Sequence, residues 1–195
     1  MAKVYDIVSG NEVVVNTLPE QTFNLIYCDP PWSFKTWGGK GTNRSAENHY
    51  NTMSLDDIAN LPIGDIADEN CALAMWTTDP HLQNALYIMN IWGFTYKTIL
   101  HTWVKVNKDQ SKNRYFKGTG YYTRSNPECL LLGMKGKMKR QDKNIDQVIV
   151  EPRREHSRKP DIIRKHIVDL CGDLPRIELF ARQEWPGWDN WGNEL

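Results

Sequence analysis

The sequence predicts an α/β domain built on a mostly parallel β-sheet with helices on both faces. Apolar segments of strand length alternate along the chain with segments whose apolar residues recur at helical spacing, and this alternation is typical of parallel α/β sheets. With 195 residues and 40% hydrophobic side chains, the chain is long enough for one full core. We therefore predict a single domain over residues 1–195, with functional residues directly after the strands, where such sheets bind ligands.

The strands are predicted from short apolar runs bounded by polar or turn-forming residues. A weakly patterned segment at the start of the chain contains one short run of valines. The segment 94–106 is compatible with one strand or with two short ones, and the segment 129–132 is expected to end at Gly133. The predicted strands cover residues 13–15, 23–28, 71–76, 94–106, 129–132, 148–150 and 177–180.

Three helices are predicted from their start and stop signals. Ser54, with an acidic residue three positions later, resembles a capping box. Asp79 and Pro80 suit the N-cap and the first position of the second helix. A proline also opens the third helix, and a glycine directly follows the second and third. The predicted helices cover residues 54–61, 79–92 and 160–171.

The composition narrows the class of protein. The 24 basic and 24 acidic residues cancel, so nucleic-acid binding would depend on local patches of positive charge. The four cysteines form no CxxC pair and each lies in or beside an apolar segment, which predicts buried, reduced thiols in a cytoplasmic protein. The five histidines show no metal-ligand spacing, and we expect no metal site. The N-terminus lacks a signal-peptide pattern, and no apolar run is long enough to cross a membrane.

The segment Asp29-Pro30-Pro31-Trp32 directly follows the predicted strand 23–28. Neither proline has an N–H group and each fixes its own φ, so we expect a stiff turn whose carbonyls meet no competing donors. An ionised Asp29 also only accepts hydrogen bonds. An acceptor-only site beside a flat aromatic ring suits a planar ligand with an NH₂ group, such as the edge of adenine. The alternative is an ordinary turn that ends a strand and contributes a core tryptophan.

Three basic loops are candidates for contacts with phosphate groups. The first, residues 33–48, is rich in glycine and directly follows the Asp-Pro-Pro-Trp segment. We expect it to be a flap that faces nucleic acid, and a solvated surface loop is the alternative. The other two loops cover residues 107–126 and 135–143. The cations of the flap that we expect to contact the substrate are Lys35, Lys40 and Arg44.

A series of short segments carries a family resemblance. The segments lie at residues 29–32, 50–54, 103–105, 129–136, 156–161, 176–182 and 192–195. In this collinear order they resemble the motifs of the MT-A-seventy family of S-adenosylmethionine-dependent N6-adenine methyltransferases. The family includes the catalytic subunit of the mRNA adenosine methyltransferase.

The resemblance implies a Rossmann-like methyltransferase fold in permuted motif order, with the catalytic strand ahead of the cofactor strand. It implies S-adenosylmethionine as cofactor and N6 of adenine as methyl acceptor, with DNA favoured because the compact chain lacks an accessory RNA module. It places Tyr50 near the acceptor base. The positions that match cofactor-binding residues of the family are Lys159, Ser157, Glu178, Arg182, Asn193 and Glu194, the last in place of a glutamine.

The implied mechanism centres on the Asp-Pro-Pro-Trp turn. Asp29 and the carbonyl of Pro30 would accept the two hydrogens of N6 and stabilise the positive charge that develops there. Pro31 would stiffen the turn, and Trp32 and Tyr50 would stack on the base.

Three alternatives remain at this stage. One is an RNA adenosine methyltransferase, and another is a protein glutamine methyltransferase, in which asparagine typically replaces Asp29. The third is an inactive nucleic-acid-binding subunit, although such subunits have usually lost this motif. We also expect a nucleic-acid partner, no membrane, a homodimer or a heterodimer with a related subunit, and the cytoplasm of a bacterial or phage-infected cell.

Overall fold

The computed structural model describes residues 2–5, 12–15, 17–33, 52–109, 114–193 and 195. The nine strands in these ranges are β1 (Ala2–Tyr5), β2 (Glu12–Val15), β3 (Phe23–Cys28), β4 (Ala67–Thr77), β5 (Thr95–Val106), β6 (Glu128–Lys135), β7 (Val148–Pro152), β8 (Arg176–Leu179) and β9 (Asp189–Trp191). The α-helices in the same ranges are α1 (Leu55–Ala59), α2 (Leu82–Ile91) and α3 (Ile162–Cys171).

Seven strands form one sheet in the order β7-β5-β6-β4-β3-β8-β9, and β1 and β2 form a separate antiparallel pair. Within the large sheet, β6 runs antiparallel to β4 and β5. The other four strand pairs are parallel. The prediction of a mostly parallel sheet is therefore confirmed, with β6 as its reversed strand.

Helices cover both faces of this sheet, as predicted. Successive residues of β4 point to opposite sides, so Leu73 belongs to one hydrophobic core and Trp76 to the other. The first core includes Ile58 of α1 and Ile88 of α2. The second core includes Ile163 of α3. The strands of the centre are buried on both faces, which explains why they read as continuous apolar runs in the sequence.

Several predicted element boundaries are wrong, and β4, for example, begins at Ala67 rather than at residue 71. β6 continues through Gly133 to Lys135, because the glycine lies where Met89 packs on the sheet. A Cβ at Gly133 would lie 2.7 Å from the Met89 sulfur. The second helix begins with a 3₁₀ turn at Asp79–His81, and its N-cap is Thr78 rather than Asp79.

Other elements refine the predictions. The segment after Phe94 is one strand, β5, with two irregularities in its pairing with β6. The short strand β9 lies in a stretch for which the sequence predicted no strand. At α1, Ser54 acts as the N-cap as predicted, since its hydroxyl accepts a hydrogen bond from the backbone N–H of Asp57.

One edge of the sheet collects the carboxyl ends of its parallel strands. The ends of β3, β4, β8 and β9 lie there together, as do the ends of β5 and β7. Because β6 is reversed, its first residues lie at the same edge, with Cys129 opposite Thr77. We call this edge the strand-end rim. No helix in the described part of the chain is long and apolar enough to cross a membrane.

Candidate active site

The Asp-Pro-Pro-Trp turn follows β3, which lies between β4 and β8 in the sheet. The side chain of Asp29 is 30% exposed, whereas Pro30 and Trp32 are buried. The N–H of Trp32 donates to the Pro30 carbonyl at 2.9 Å, and the N–H of Met53 donates to the Pro31 carbonyl at 3.0 Å. The expectation of carbonyls without competing donors is therefore wrong. A carbonyl oxygen has two lone pairs, so the Pro30 oxygen can still accept a second hydrogen bond.

Trp32 is held on two sides by the protein. Its indole N–H donates to the carbonyl of Trp76 at 3.3 Å. One face of its ring stacks on His81, with centroids 5.5 Å apart and an angle of 12° between the planes. Burial lowers the pKa of His81, which favours the neutral imidazole. Stacking of Trp32 on a substrate base stays a prediction and concerns the opposite face of the ring.

Lys159 joins the loop before α3 to the Asp-Pro-Pro-Trp turn. Its ammonium group lies 2.6 Å from Asp29 Oδ2. It also lies 3.2 Å from Glu128 Oε2 and 3.3 Å from the carbonyl oxygen of Ser157. A lysine ammonium has three donors, so each has a protein acceptor in this arrangement. Lys159 is only 9% exposed, and it lies 5.7 Å from the ring centroid of Trp76.

Four charges of alternating sign form a chain at the strand-end rim. They run from Asp29 through Lys159 and Glu128 to Lys105, whose ammonium forms a close ion pair with Glu128. Burial lowers the pKa of Lys159, but the carboxylates of Asp29 and Glu128 outweigh it and raise that pKa overall. Burial raises the pKa of Glu128, but the two lysines outweigh it and lower that pKa overall. This chain of charges, which we call the charge chain, orients the carboxylate of Asp29.

Sequence reasoning did not identify Glu128 as a site residue. It stands directly before an apolar run in the sequence and is the first residue of β6, and only the antiparallel direction of β6 brings the start of that strand to the rim. An acidic residue directly before a strand was the one available signal. The lysines that it contacts are 23 and 31 positions away in the sequence.

Glu178 lies one strand away from the charge chain, on β8. Both its oxygens accept hydrogen bonds from Arg164 of α3, each at 2.6 Å. Burial raises the pKa of Glu178 in spite of this partner. The Arg164 guanidinium also lies over the rings of Tyr27 and Trp185, at 5.4 and 4.5 Å from their centroids. Glu178 thus has a structural partner, and its contact with a cofactor stays a prediction.

Arg182 and Asn193 lie shortly after the ends of β8 and β9, which are neighbouring strands. The N–H of Ala181 donates to the carbonyl of Trp191 at 3.0 Å, which joins the ends of β8 and β9. A Cβ at Gly192 would lie 2.2 Å from the Ala181 carbonyl oxygen, so only glycine fits this junction. Both residues therefore follow strands at the rim, on the same side of the Asp29 turn.

A cavity of about 820 Å³ lies beside β9. Three tryptophans contribute to its wall, Trp185, Trp188 and Trp191. Asn190 also lines the cavity, and its buried side-chain oxygen Oδ1 has no hydrogen-bond partner. The cavity thus offers aromatic surface and a hydrogen-bond acceptor along β9, the edge strand of the sheet.

The four cysteines are free thiols, as predicted, and three of them are buried. Burial raises the pKa of Cys71 to about 12 and that of Cys171 to about 11. Burial also raises the pKa of Cys28 and Cys129. The thiols therefore stay protonated at neutral pH, which makes them poor nucleophiles.

Several predicted site residues lie outside the described part of the chain. They are the substrate-binding candidates Tyr50, Lys35, Lys40 and Arg44 and the cofactor-binding candidate Glu194. Of the predicted residues that the structure describes, Asp29, Lys159 and Ser157 form one contact network.

Comparison with known proteins identifies the family. The MT-A70 family model matches residues 23–194. The chain is 34% identical to the type II methyltransferase M.MunI of a Mycoplasma species, over the whole of this chain and 87% of that protein. It is 30% identical to an N(6)-adenosine-methyltransferase MT-A70-like protein of Arabidopsis thaliana, over 89% of this chain. It is 29% identical to the human N(6)-adenine-specific methyltransferase METTL4, over 90% of this chain.

The lengths of these relatives differ widely. The matched region makes up 24% of the Arabidopsis protein and 38% of human METTL4, so this chain spans less than two fifths of either. The seven-stranded sheet with helices on both faces is consistent with a Rossmann-like methyltransferase fold. The chain belongs to the MT-A70 family, which is the family of N6-adenine methyltransferases that its motifs resemble.

Proposed function

We propose that the protein transfers a methyl group from S-adenosylmethionine to N6 of adenine in DNA. The observation that carries this proposal is the carboxylate of Asp29, which is partly exposed at the strand-end rim and held by the buried Lys159. Membership of the MT-A70 family supports the reaction. The whole-chain similarity to a type II methyltransferase supports DNA as substrate.

The role of Asp29 follows from the chemistry of the acceptor. The lone pair of the N6 amine is delocalised into the adenine ring, so N6 is a weak nucleophile. Asp29 accepts one N6 hydrogen and the Pro30 carbonyl accepts the other, which favours a more tetrahedral nitrogen. As the bond between N6 and the methyl group would form, and the methyl–sulfur bond of the cofactor would break, positive charge would develop on N6, and the carboxylate would stabilise it. The proton that N6 then loses passes towards Asp29 and solvent.

Lys159 and Glu128 act on Asp29 rather than on the substrate. The ammonium of Lys159 binds only Oδ2 of the carboxylate. An ionised carboxylate has about four lone-pair positions, so Asp29 keeps capacity for an N6 hydrogen. Glu128 holds Lys159 from the other side at 3.2 Å. Together they fix the orientation of the carboxylate before the base arrives, which is the preorganisation that catalysis requires.

The residues of the rim fit S-adenosylmethionine, which supplies an electrophilic methyl group on a positively charged sulfur. Asp29 offers negative charge near the reacting centre, and Ser157, Arg182 and Asn193 offer groups suited to the cofactor's carboxylate, amine and ribose. The cavity beside β9 offers tryptophan surface and the unpartnered Oδ1 of Asn190, which suit an adenine ring and its amine. Lys159 would bind the cofactor only by giving up one of its present acceptors.

The nucleic acid would be held by the flap cations Lys35, Lys40 and Arg44 and by Tyr50 at the base, as the sequence analysis predicts. In a duplex, adenine must first leave the base stack, at a cost of a few kcal/mol. An enzyme acting on DNA belongs where DNA is accessible, the cytoplasm of a bacterial or phage-infected cell. Dimerisation with a second copy or a related subunit belongs to the same proposal.

Mass spectrometry of nucleic acid from expressing cells tests the proposal. N6-methyladenine should rise in DNA and not in RNA, relative to cells that express an Asp29→Asn variant. A rise confined to RNA would establish the alternative of an RNA adenosine methyltransferase. No rise in either, together with no transfer from labelled cofactor by the purified protein, would favour the inactive partner subunit.

A further inference from the structure

Residues 114–127 form a projection at the strand-end rim, which we call the tyrosine finger. Its first leg pairs with the end of β5 at Tyr115, where the N–H of Phe116 donates to the Lys105 carbonyl at 3.0 Å. Its second leg is held by Asn126. The Asn126 amide accepts from the Lys105 N–H at 3.0 Å and donates to the Lys105 carbonyl at 2.8 Å. Both legs are therefore fixed to one residue of β5.

The tip of the finger is a closed loop with bends at residues 121–123. The N–H of Gly118 donates to the Ser125 carbonyl at 2.7 Å and closes the loop between them. A Cβ at Gly120 would lie 1.7 Å from the Thr123 carbonyl oxygen, so the turn requires glycine there. These constraints give the finger a defined shape, although it is a loop that connects β5 and β6.

Two aromatic rings project from this tip. Tyr121 is 80% exposed and Tyr122 is 94% exposed. Their rings contact each other edge to face, with centroids 5.0 Å apart. A single exposed aromatic residue is ordinary on a protein surface. Two adjacent ones on a constrained turn provide flat surface that contributes nothing to the core.

The finger is also positively charged. Residues 114–127 include Arg114, Lys117 and Arg124 and no acidic residue. A fourth cation, Arg153 from the loop after β7, lies over the ring of Phe116 at 4.3 Å from its centroid. In a chain with no net charge, this is a local concentration of positive charge. Exposed aromatic rings among cations are the combination that binds unpaired nucleic-acid strands.

The finger begins and ends next to the charge chain. Its second leg leads directly into Glu128, which lies 3.2 Å from Lys159, and Lys159 lies 2.6 Å from Asp29. Its anchor, Lys105, is the last member of the same chain. Two ion-pair contacts thus connect the base of the finger to Asp29, the carboxylate that we propose accepts a hydrogen bond from N6.

We propose that the tyrosine finger holds the nucleic-acid strand next to the target adenine, with Tyr121 and Tyr122 stacking on the unpaired bases that flank it. The inference rests on the proposed function, because it requires a nucleic-acid substrate at Asp29. Stacking uses the ring faces and tolerates any base, so the finger supplies affinity for an opened strand rather than sequence recognition. The cations of the finger hold the phosphates of the same strand.

Fluorescence anisotropy with a labelled single-stranded oligodeoxynucleotide tests this inference. The Tyr121→Ala/Tyr122→Ala variant should bind about thirtyfold or more weakly, as expected when two stacking rings are removed. Its salt dependence should match the parent, because no phosphate contact is lost. The Tyr121→Phe/Tyr122→Phe variant should bind like the parent, since phenylalanine keeps the ring. Tyr87→Ala, which removes a half-exposed tyrosine from α2, serves as the matched control.

The outcomes separate this inference from the proposed function. Unchanged binding by the alanine variant would overturn the inference while leaving methyl transfer intact. Weak binding by the phenylalanine variant would also overturn it, because the hydroxyl groups and not the ring faces would then be responsible. A change in oligomeric state of the alanine variant, with unchanged oligonucleotide binding, would assign the finger to a protein interface instead. A parent protein that binds no nucleic acid would overturn the proposed function itself.

Discussion

Replacing Glu128 with glutamine should destabilise the protein and show what the charge chain contributes. Glu128 is 7% exposed and lies between the ammonium groups of Lys105 and Lys159. Removing one partner of a buried ion pair costs about 3–5 kcal/mol, because the other charge is left buried. Lys159 keeps Asp29 as a partner, so we expect the lower end, about 3 kcal/mol. For a chain of this size that corresponds to a fall in melting temperature of about 6–12 °C.

Chemical denaturation at pH 7 measures this loss directly. The lowered pKa of Glu128 means that its contribution is fully present above the ordinary pKa of a glutamate, about 4.3, and is lost as the pH falls through the lower folded-state value. At pH 7 the whole effect is therefore visible. Asp169→Asn is the matched control, since it breaks the Lys165–Asp169 pair, whose lysine is 68% exposed. Exposed pairs contribute about 0–1 kcal/mol. Equal losses in the two variants would refute the charge chain as a structural element.

Three further predictions concern the cofactor, acid stability and the strand junction. Asn193→Ala should weaken S-adenosylmethionine binding by about tenfold, the cost of one good hydrogen bond. Lys159→Ala should weaken it by less, because a hydrogen bond from Lys159 to the cofactor would replace one that it now makes; unchanged affinities in calorimetry would remove both from the cofactor site. Burial, with a smaller effect of His166, lowers the pKa of His101 to about 4. The free energy of unfolding should therefore fall as the pH drops from about 6.5 towards the folded-state pKa of His101. In denaturant unfolding, His101→Gln should reduce the difference between the free energies of unfolding at pH 7 and pH 5. An unreduced difference would assign the acid sensitivity to other groups. Gly192→Ala should cost about 1–3 kcal/mol by overpacking against the Ala181 carbonyl, and a variant as stable as the parent in denaturation would contradict this contact.

The sequence alone predicted the elements that depend mainly on local signals. The strand Phe23–Cys28 was predicted to the residue, because it is an apolar run with one polar residue and is followed by Asp29 and two prolines. The N-cap at Ser54 followed from a hydroxyl at the right spacing. The strand Asp189–Trp191 was missed because its three residues show no apolar alternation, and only pairing with β8 makes them a strand.

Long-range contacts explain most of what could not be predicted at the site. The stack of His81 on Trp32 joins residues 49 positions apart, and the Arg164–Glu178 pair depends on α3 packing on β8. The resemblance placed Lys159 at the site, but only the structure shows that its three donors already have acceptors. Local sequence fixes none of these distances, because each depends on how the sheet orders its strands.

The reaction of the Asp29→Asn variant is the most direct test of the central claim, that this carboxylate drives methyl transfer to N6. Asparagine keeps the size of the side chain and one oxygen near Lys159, so the protein should stay folded and bind cofactor like the parent. Single-turnover transfer from labelled S-adenosylmethionine to adenine in DNA should fall by at least about 10²–10³-fold, the usual cost of removing a group aimed at developing charge. A folded Asp29→Asn variant that keeps a tenth or more of the parent rate would contradict the mechanism.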